Sequence, residues 1–142
     1  MQMNKYFVDT NLFIRYLTND IPEQADVLKR LISKSVNREI QLVCSSVVIA
    51  EIVWTLQSFY KFAKSKIDEI VSALVASPAF EFDERDILLQ SLDDFNHLNI
   101  DFIDAFIGAW MREHQIKNIY TFNIRDFNRI SGIVVKNPAH NH

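Results

Sequence analysis

Glycine and proline are scarce in this sequence. Its 142 residues include only 2 glycines and 3 prolines. This scarcity argues against an all-β fold, which needs many tight turns, and favours helices. The chain contains no glycine-rich phosphate-binding loop and no G-x-S-x-G nucleophile motif. Serine hydrolase, NTPase and dinucleotide-dependent activities are therefore unsupported.

Cysteine is almost absent, and histidine has no metal-binding pattern. The single Cys44 excludes an internal disulfide framework and any site made of several cysteines. Cys44 falls in a predicted strand, so we expect an inert buried thiol rather than a nucleophile. The four histidines show no zinc-type spacing, and two of them lie in a terminal segment that we expect to be exposed. They are His97, His114, His140 and His142.

Long hydrophobic runs and a basic surplus are also missing. No apolar run approaches the ~20 residues that a membrane span needs, and the N-terminus lacks a signal-peptide layout. We therefore expect a cytoplasmic protein without a membrane partner. The net charge is −3, so the chain has no strongly basic nucleic-acid footprint. A nuclease stays possible, because an enzyme that holds phosphate through cations carries acids at its site.

Composition and hydrophobic patterning predict one α/β domain. The chain is 49% hydrophobic and 23% charged, which is ordinary globular usage. We expect the domain to cover residues 1–136 and a flexible tail to cover 137–142. The predicted strands are 5–8, 40–44, 80–82, 118–121 and 133–135, and predicted helices lie between them, among them 47–60, 65–76 and 102–113. Alternating strands and helices indicate a mostly parallel sheet with helices packed on it.

Two acids of the N-terminal half stand out. Asp9 follows the first predicted strand, and ligands of open α/β sheets bind at the carboxyl ends of strands. Capping of the next helix is an equally good explanation of Asp9. Glu51 lies in a nearly all-apolar helical stretch, where a charge costs several kcal/mol unless it is paired or bound to metal. A salt bridge or an exposed helix edge is the alternative for Glu51.

Three acids of the C-terminal half also stand out. Asp101 and Asp104 share one face of an apolar helix, where their charges repel each other unless a divalent cation lies between them. Asp101 could instead cap that helix. Asp126 follows a strand end, close to Asn123, which is itself a possible oxygen ligand; Asp126 could also be a helix-start carboxylate.

Hard oxygen ligands of this kind select Mg²⁺ or Mn²⁺ rather than Zn²⁺. Two such ions about 3.5–4 Å apart would hold a phosphodiester and generate hydroxide from water. One ion could still activate water while the substrate phosphate completes its coordination. The acids alone do not decide between one metal and two.

A group of aromatic residues has two interpretations. It could stack nucleic-acid bases or bind a partner, but such a stripe more often belongs to a core or a dimer interface. Its members are Trp54, Phe59, Tyr60 and Phe62.

Four segments resemble the acidic motifs of the PIN-domain family, and more narrowly of VapC-type toxin ribonucleases. Each motif is short, but all four occur in the family's order over nearly the whole chain. They are FVDTNLF at 7–13, VIAEI at 48–52, DFIDAFIGA at 101–109 and YTFNIRDF at 120–127.

The resemblance implies a PIN fold, in which helices flank a central parallel sheet, and RNA cleavage that depends on Mg²⁺ or Mn²⁺. Asp9, Glu51 and Asp104 match the catalytic, metal-binding acids, and Asp101 matches an auxiliary acid. Many members carry Asp two residues after the threonine of the fourth motif, where this chain has Asn123. Either Asn123 or Asp126 would fill that position. Hydrogen-bonding residues that would orient the acids are Thr10, Asn11 and Thr121.

The resemblance further implies the toxin of a toxin–antitoxin pair. This toxin would be a homodimeric endoribonuclease that hydrolyses RNA phosphodiesters with metal-activated water, and a cognate antitoxin protein would obstruct its site. An antitoxin arginine that reaches the carboxylates is one physical means of obstruction. Two alternatives are an RNA-processing PIN nuclease outside such a pair and a catalytically inert interaction module. The RNA target cannot be deduced from these motifs.

Overall fold

The structure is a computed structural model that describes residues 3–139, divided between two compact units, residues 1–85 and residues 86–142. Each unit contains a parallel sheet and helices of its own. His140, His142 and the end of the predicted tail 137–142 lie outside the described residues.

The first unit alternates strands and helices. Its elements are β1 (Lys5–Phe7), α1 (Thr10–Thr18), α2 (Pro22–Val36), β2 (Gln41–Cys44), α3 (Ser46–Ser58), α4 (Lys64–Ala76) and β3 (Phe80–Phe82). Helix α1 packs on α2 and α3, and α3 packs on α4. Pro22 begins α2 because its fixed φ suits the first helical position, where its missing N–H is not needed.

The three strands of this unit form one parallel sheet in the order β1-β2-β3. Tyr6 pairs with Leu42, and Leu42 pairs with Phe80. Parallel pairing brings the carboxyl ends of all three strands to the same edge of the sheet. The residues that follow the strands at this edge are Asp9, Ser45 and Asp83.

The second unit contains α5 (Arg85–His97), α6 (Phe102–Glu113), β4 (Asn118–Tyr120), α7 (Ile124–Phe127) and β5 (Val134–Lys136), with Arg85 on the boundary between the units. Strands β4 and β5 pair in parallel. Helix α6 contacts α7. Because Gly108 of α6 has no side chain, the segment just after α7 can pack closely against α6. A Cβ atom at Gly108 would lie 2.8 Å from Cδ1 of the buried Ile130.

The α/β class and the parallel pairing predicted from the sequence are confirmed. Helix α6 has the predicted bounds, and each end of a predicted strand lies within one residue of the observed end. Within residues 3–139 the strands pair as a sheet of three and a sheet of two, a division that the sequence does not predict. Among these residues, no helix combines the length and apolar character that a membrane crossing requires.

An ion pair with little exposure stabilises the second unit. Arg112 Nη2 lies 2.7 Å from Asp94 Oδ2, and only 10% of the Asp94 side chain is exposed. Gln90 donates to the other carboxylate oxygen of Asp94 at 3.0 Å. The neighbouring Asp93 pairs with His97 at 3.0 Å, but 59% of its side chain is exposed.

We expect Asp94→Ala to lower the free energy of unfolding by about 2–4 kcal/mol, because it leaves a largely desolvated guanidinium without its partner. Asp93→Ala is the matched control and should cost less than about 0.5 kcal/mol, since its ion pair is exposed. Urea denaturation measures both values. Equal losses in the two variants would show that the pair at Asp94 has no special role.

Candidate metal centre

Two carboxylates lie at the beginning of α6. Asp101 is the N-cap residue, but its side chain makes no capping hydrogen bond and is exposed. Asp104 lies in the first turn and is half-buried. The first-turn N–H groups and the helix dipole favour negative charge at this end of a helix. Because its carboxylate does not cap the helix, Asp101 keeps both oxygens available to a ligand.

The segment after β4 places an amide against these acids. The Asn123 side-chain nitrogen, Nδ2, donates to Asp104 Oδ2 at 3.0 Å and to Asp126 Oδ2 at 3.2 Å. Asn123 is itself oriented by Thr121, whose hydroxyl oxygen accepts a hydrogen bond from the Asn123 backbone N–H at 2.9 Å. Thr121 therefore orients the amide directly and the acids only through it. We call the set Asp101, Asp104, Asn123 and Asp126 the acidic cluster.

In the acidic cluster it is unfavourable for all three carboxylates to be negatively charged at the same time. Burial raises the pKa of the Asp104 carboxyl above its usual range, and the charges of Asp101 and Asp126 raise it further. The hydrogen bond from Asn123 opposes these effects but does not outweigh them. A positive charge placed among these oxygens would remove the repulsion.

The donor set of the acidic cluster fits a hard divalent cation. It offers carboxylate oxygens, the ligands that Mg²⁺ and Mn²⁺ prefer. The amide nitrogen of Asn123, rather than its oxygen, faces the two carboxylates. This orientation favours Asp126 over Asn123 as the residue that fills the acidic position of the fourth motif, a choice that the sequence leaves open.

Asp9 begins α1 in the first unit. It is the N-cap residue, and its Oδ1 accepts a hydrogen bond from the Thr10 backbone N–H at 2.8 Å. The side chain is nevertheless exposed, so capping leaves its second oxygen available. Both interpretations of Asp9 therefore remain compatible with its geometry.

The two residues after Asp9 do not orient it through their side chains. Among residues 3–139, Thr10 Oγ1 is the buried side-chain oxygen or nitrogen that lacks a hydrogen-bond partner. An unsatisfied buried hydroxyl costs about 1–3 kcal/mol, so a bound group that used it would be favoured. Asn11 is exposed and lines a surface cavity of about 320 Å³ together with Arg15 and Gln24.

Glu51 lies on the exposed side of α3, so the desolvation argument made for it from the sequence is wrong. The helix buries its apolar residues on the other side, and the exposed side also carries Val47 and Trp54. The buried residues are Val48, Ile49, Ile52, Val53 and Leu56. A metal-binding role for Glu51 stays a prediction that rests on the motif alone.

The structure also presents two acids that the motif analysis did not select. Asp83 and Glu84 follow β3 at the sheet edge where Asp9 follows β1. The Ser46 hydroxyl lies 3.2 Å from Asp83 Oδ1 and 3.4 Å from Glu84 Oε1. The strand-end rule that singled out Asp9 applies equally to this pair and could have found it.

Cys44 is buried in β2, as expected. Burial raises the pKa of its thiol to about 12, so the thiol is neutral at physiological pH. A nucleophilic role for this residue is excluded.

The raised pKa of Asp104 has a consequence for stability. A carboxyl whose pKa is higher in the folded state contributes stability below its unfolded pKa, and this contribution is lost as the pH rises through the folded pKa. In metal-free protein at pH 7, Asp104→Asn should therefore raise Tm by roughly 1–3 °C.

The gain from Asp104→Asn should vanish well below pH 3.8, the ordinary pKa of an aspartate, where Asp104 is protonated in both states. Asp26→Asn, a change at an exposed acid of α2, is the control and should give no gain at pH 7. Thermal unfolding in EDTA measures both variants. A loss of stability in Asp104→Asn at pH 7 would contradict this electrostatic account.

The sequence model of the PIN domain matches residues 6–133, which include all the predicted site residues. No curated protein sequence matches the chain significantly. PIN domains have a nuclease-type fold, their members generally act on RNA, and they typically use divalent metals. With a match over most of its length, the chain belongs to the PIN domain family.

Proposed function

We propose that this protein is a metal-dependent endoribonuclease that uses Mg²⁺ or Mn²⁺. The observation that carries the proposal is the acidic cluster in a chain of the PIN domain family. Burial raises the pKa of Asp104, the charges of Asp101 and Asp126 raise it further, and a divalent cation is the ligand that relieves such repulsion.

Asp9, Glu51 and Asp104 are the proposed metal ligands. Asp101 and Asp126 support the cation electrostatically, and a bound cation lowers the pKa of water and neutralises charge on a phosphate. Asn123 keeps the carboxylates of Asp104 and Asp126 aligned by donating to both, and Thr121 fixes the amide. The Thr10 hydroxyl offers a hydrogen bond to a group bound beside Asp9, and Asn11 borders the cavity next to it.

Within this function we propose the toxin role of a toxin–antitoxin pair. It is supported by the resemblance of all four motifs to VapC-type toxins. The proposed partners are an RNA substrate, a second copy of the chain and a cognate antitoxin protein that obstructs the carboxylates. A small antitoxin gene next to the gene for this chain, and growth arrest on expression, are the expected signs. An RNA-processing nuclease would show neither.

One observation favours a second candidate, a catalytically inert interaction module. The Asn123 amide nitrogen already bridges Asp104 and Asp126, which partly satisfies them without a cation. The inert module predicts that Mn²⁺ leaves Tm unchanged. The nuclease predicts a rise in Tm that Glu51→Gln abolishes.

The central test is cleavage of structured RNA in the presence of Mg²⁺ or Mn²⁺. We expect Asp9→Asn, Glu51→Gln and Asp104→Asn each to lower the rate at least about 100-fold, because each removes a charge that holds the cation. EDTA should abolish cleavage by the wild-type protein.

Two matched controls remove an exposed acid elsewhere. Asp26→Asn changes α2, and Glu113→Gln changes the far end of the same helix that carries Asp104. Both should cleave like the wild type. Equal activity in the three site variants and the controls would reject the proposed roles.

A further inference from the structure

The connection between α3 and α4 concentrates aromatic rings and positive charge. Residues 59–66 read FYKFAKSK, three aromatics and three lysines in eight residues. Residues 52–67 contain no Asp or Glu, although the chain carries a net charge of −3. We call residues 59–66 the aromatic–lysine segment. It is a basic stretch in an acidic protein.

The three rings of the aromatic–lysine segment contact one another and leave one ring open to solvent. Phe59 and Tyr60 have ring centroids 5.0 Å apart in an edge-to-face arrangement, and the Tyr60 and Phe62 centroids are 6.1 Å apart. Phe59 is nevertheless 74% exposed. The sequence-based alternative of a core stripe is therefore wrong for Phe59, since it is not buried within the chain.

Hydrogen bonds hold this group of rings in place. The Tyr60 hydroxyl donates to Asp20 Oδ2 at 2.9 Å, and Arg15 Nη1 lies 2.8 Å from the same oxygen. These contacts attach the segment to α1 and to the turn that follows it. Tyr60 is therefore fixed, and Phe59 and Phe62 pack against it to form a platform, which lowers the entropic cost of ordering side chains around a flat ligand.

The lysines border this platform. Lys66 Nζ lies 4.8 Å from the centroid of the Phe62 ring, and the Lys61 side chain is exposed. Within the described part of the chain, neither Lys61 nor Lys66 has a carboxylate partner. Two uncompensated cations beside an open aromatic face match a ligand that has both planar rings and negative charge.

A second exposed aromatic, Trp54, lies close to the proposed metal ligand Glu51. Trp54 is 67% exposed and lies three residues after Glu51, on the same face of α3. Along the helix axis, Trp54 is about 4.5 Å and Phe59 about 12 Å from Glu51, at 1.5 Å per residue. Around the axis, at about 100° per residue, Trp54 and Phe59 lie on opposite flanks of Glu51, so the two exposed aromatics border this proposed metal ligand from both sides.

We propose that Trp54 and the aromatic–lysine segment form a binding surface for single-stranded RNA. Bases stack on the exposed rings of Trp54 and Phe59, and Lys61 and Lys66 neutralise the phosphates between them. A duplex keeps its bases stacked internally and cannot use the rings. The inference rests on the proposed ribonuclease function and assigns its substrate an unpaired segment beside the cleavage site.

The test measures RNA binding without cleavage. The full chain is titrated in EDTA against a fluorescent single-stranded 12-nucleotide RNA, against the same sequence as a duplex, and at several salt concentrations. We expect the single strand to bind more tightly than the duplex. Trp54→Leu and Phe59→Leu, which keep apolar bulk but remove the aromatic face, should each weaken binding about fivefold or more.

Lys61→Gln and Lys66→Gln should each reduce the slope of log Kd against log salt by about 0.7, the value for one phosphate contact on a single strand. Lys34→Gln and Val36→Ala, two exposed positions near the end of α2, are the matched controls and should change neither quantity. In the Trp110→Phe background Trp54 is the sole tryptophan, and its fluorescence should be quenched when RNA binds.

Three outcomes would overturn the inference: equal affinity in the ring variants and controls, preference for the duplex, or unchanged RNA affinity with loss of self-association in Trp54→Leu and Phe59→Leu. The last would make the surface an interface between copies. Because binding is measured in EDTA, ring-dependent binding without metal-dependent cleavage supports this surface and refutes only the nuclease. Metal-dependent cleavage together with an RNA affinity that does not change in the ring variants supports the nuclease and refutes this surface.

Discussion

Mutual repulsion of carboxylates at the start of α6 is the constraint on which the candidate site depends. Burial raises the pKa of Asp104, and the charges of the nearby Asp101 and Asp126 raise it further. The Asn123 amide contributes two hydrogen bonds that hold Asp104 and Asp126 in place. Such an arrangement costs folding stability, and a bound positive charge would offset that cost.

The acids of the two units are held in position by different parts of the protein. In the second unit the acids are ordered by side-chain hydrogen bonds that begin at Thr121. In the first unit Asp9 is ordered by the backbone of α1, and Glu51 is displayed on an exposed helix face. The proposed RNA surface continues from that same exposed face of α3.

The order of strands and helices could be predicted from the sequence, because apolar periodicity and turn residues are local signals. Helix α6 is the clearest case: Asp101 marks its start, and the apolar run ends at Glu113. The side of α3 that carries Glu51 could not be predicted, since apolar residues surround the helix and periodicity is weak. The exposed residues Val47 and Trp54 look, in sequence, like the buried Ile49.

The contacts of the acidic cluster were equally beyond a sequence argument. The motif located Asp104, Asn123 and Asp126 but could not tell which atom of the amide faces the acids. That depends on the direction of a side chain at the cap of α7, a helix of only four residues. Asp83 and Glu84 show the opposite case, because their position directly after β3 is visible in the sequence.

The central claim is that the carboxylates of the acidic cluster hold a divalent cation. Its most direct test is a crystal soaked with Mn²⁺ and measured at a wavelength where manganese scatters anomalously. The account predicts an anomalous peak at coordination distance from a carboxylate oxygen of Asp104, and no peak in crystals of Asp104→Asn. A saturated soak with no peak at Asp104, or with manganese bound only elsewhere, would contradict it.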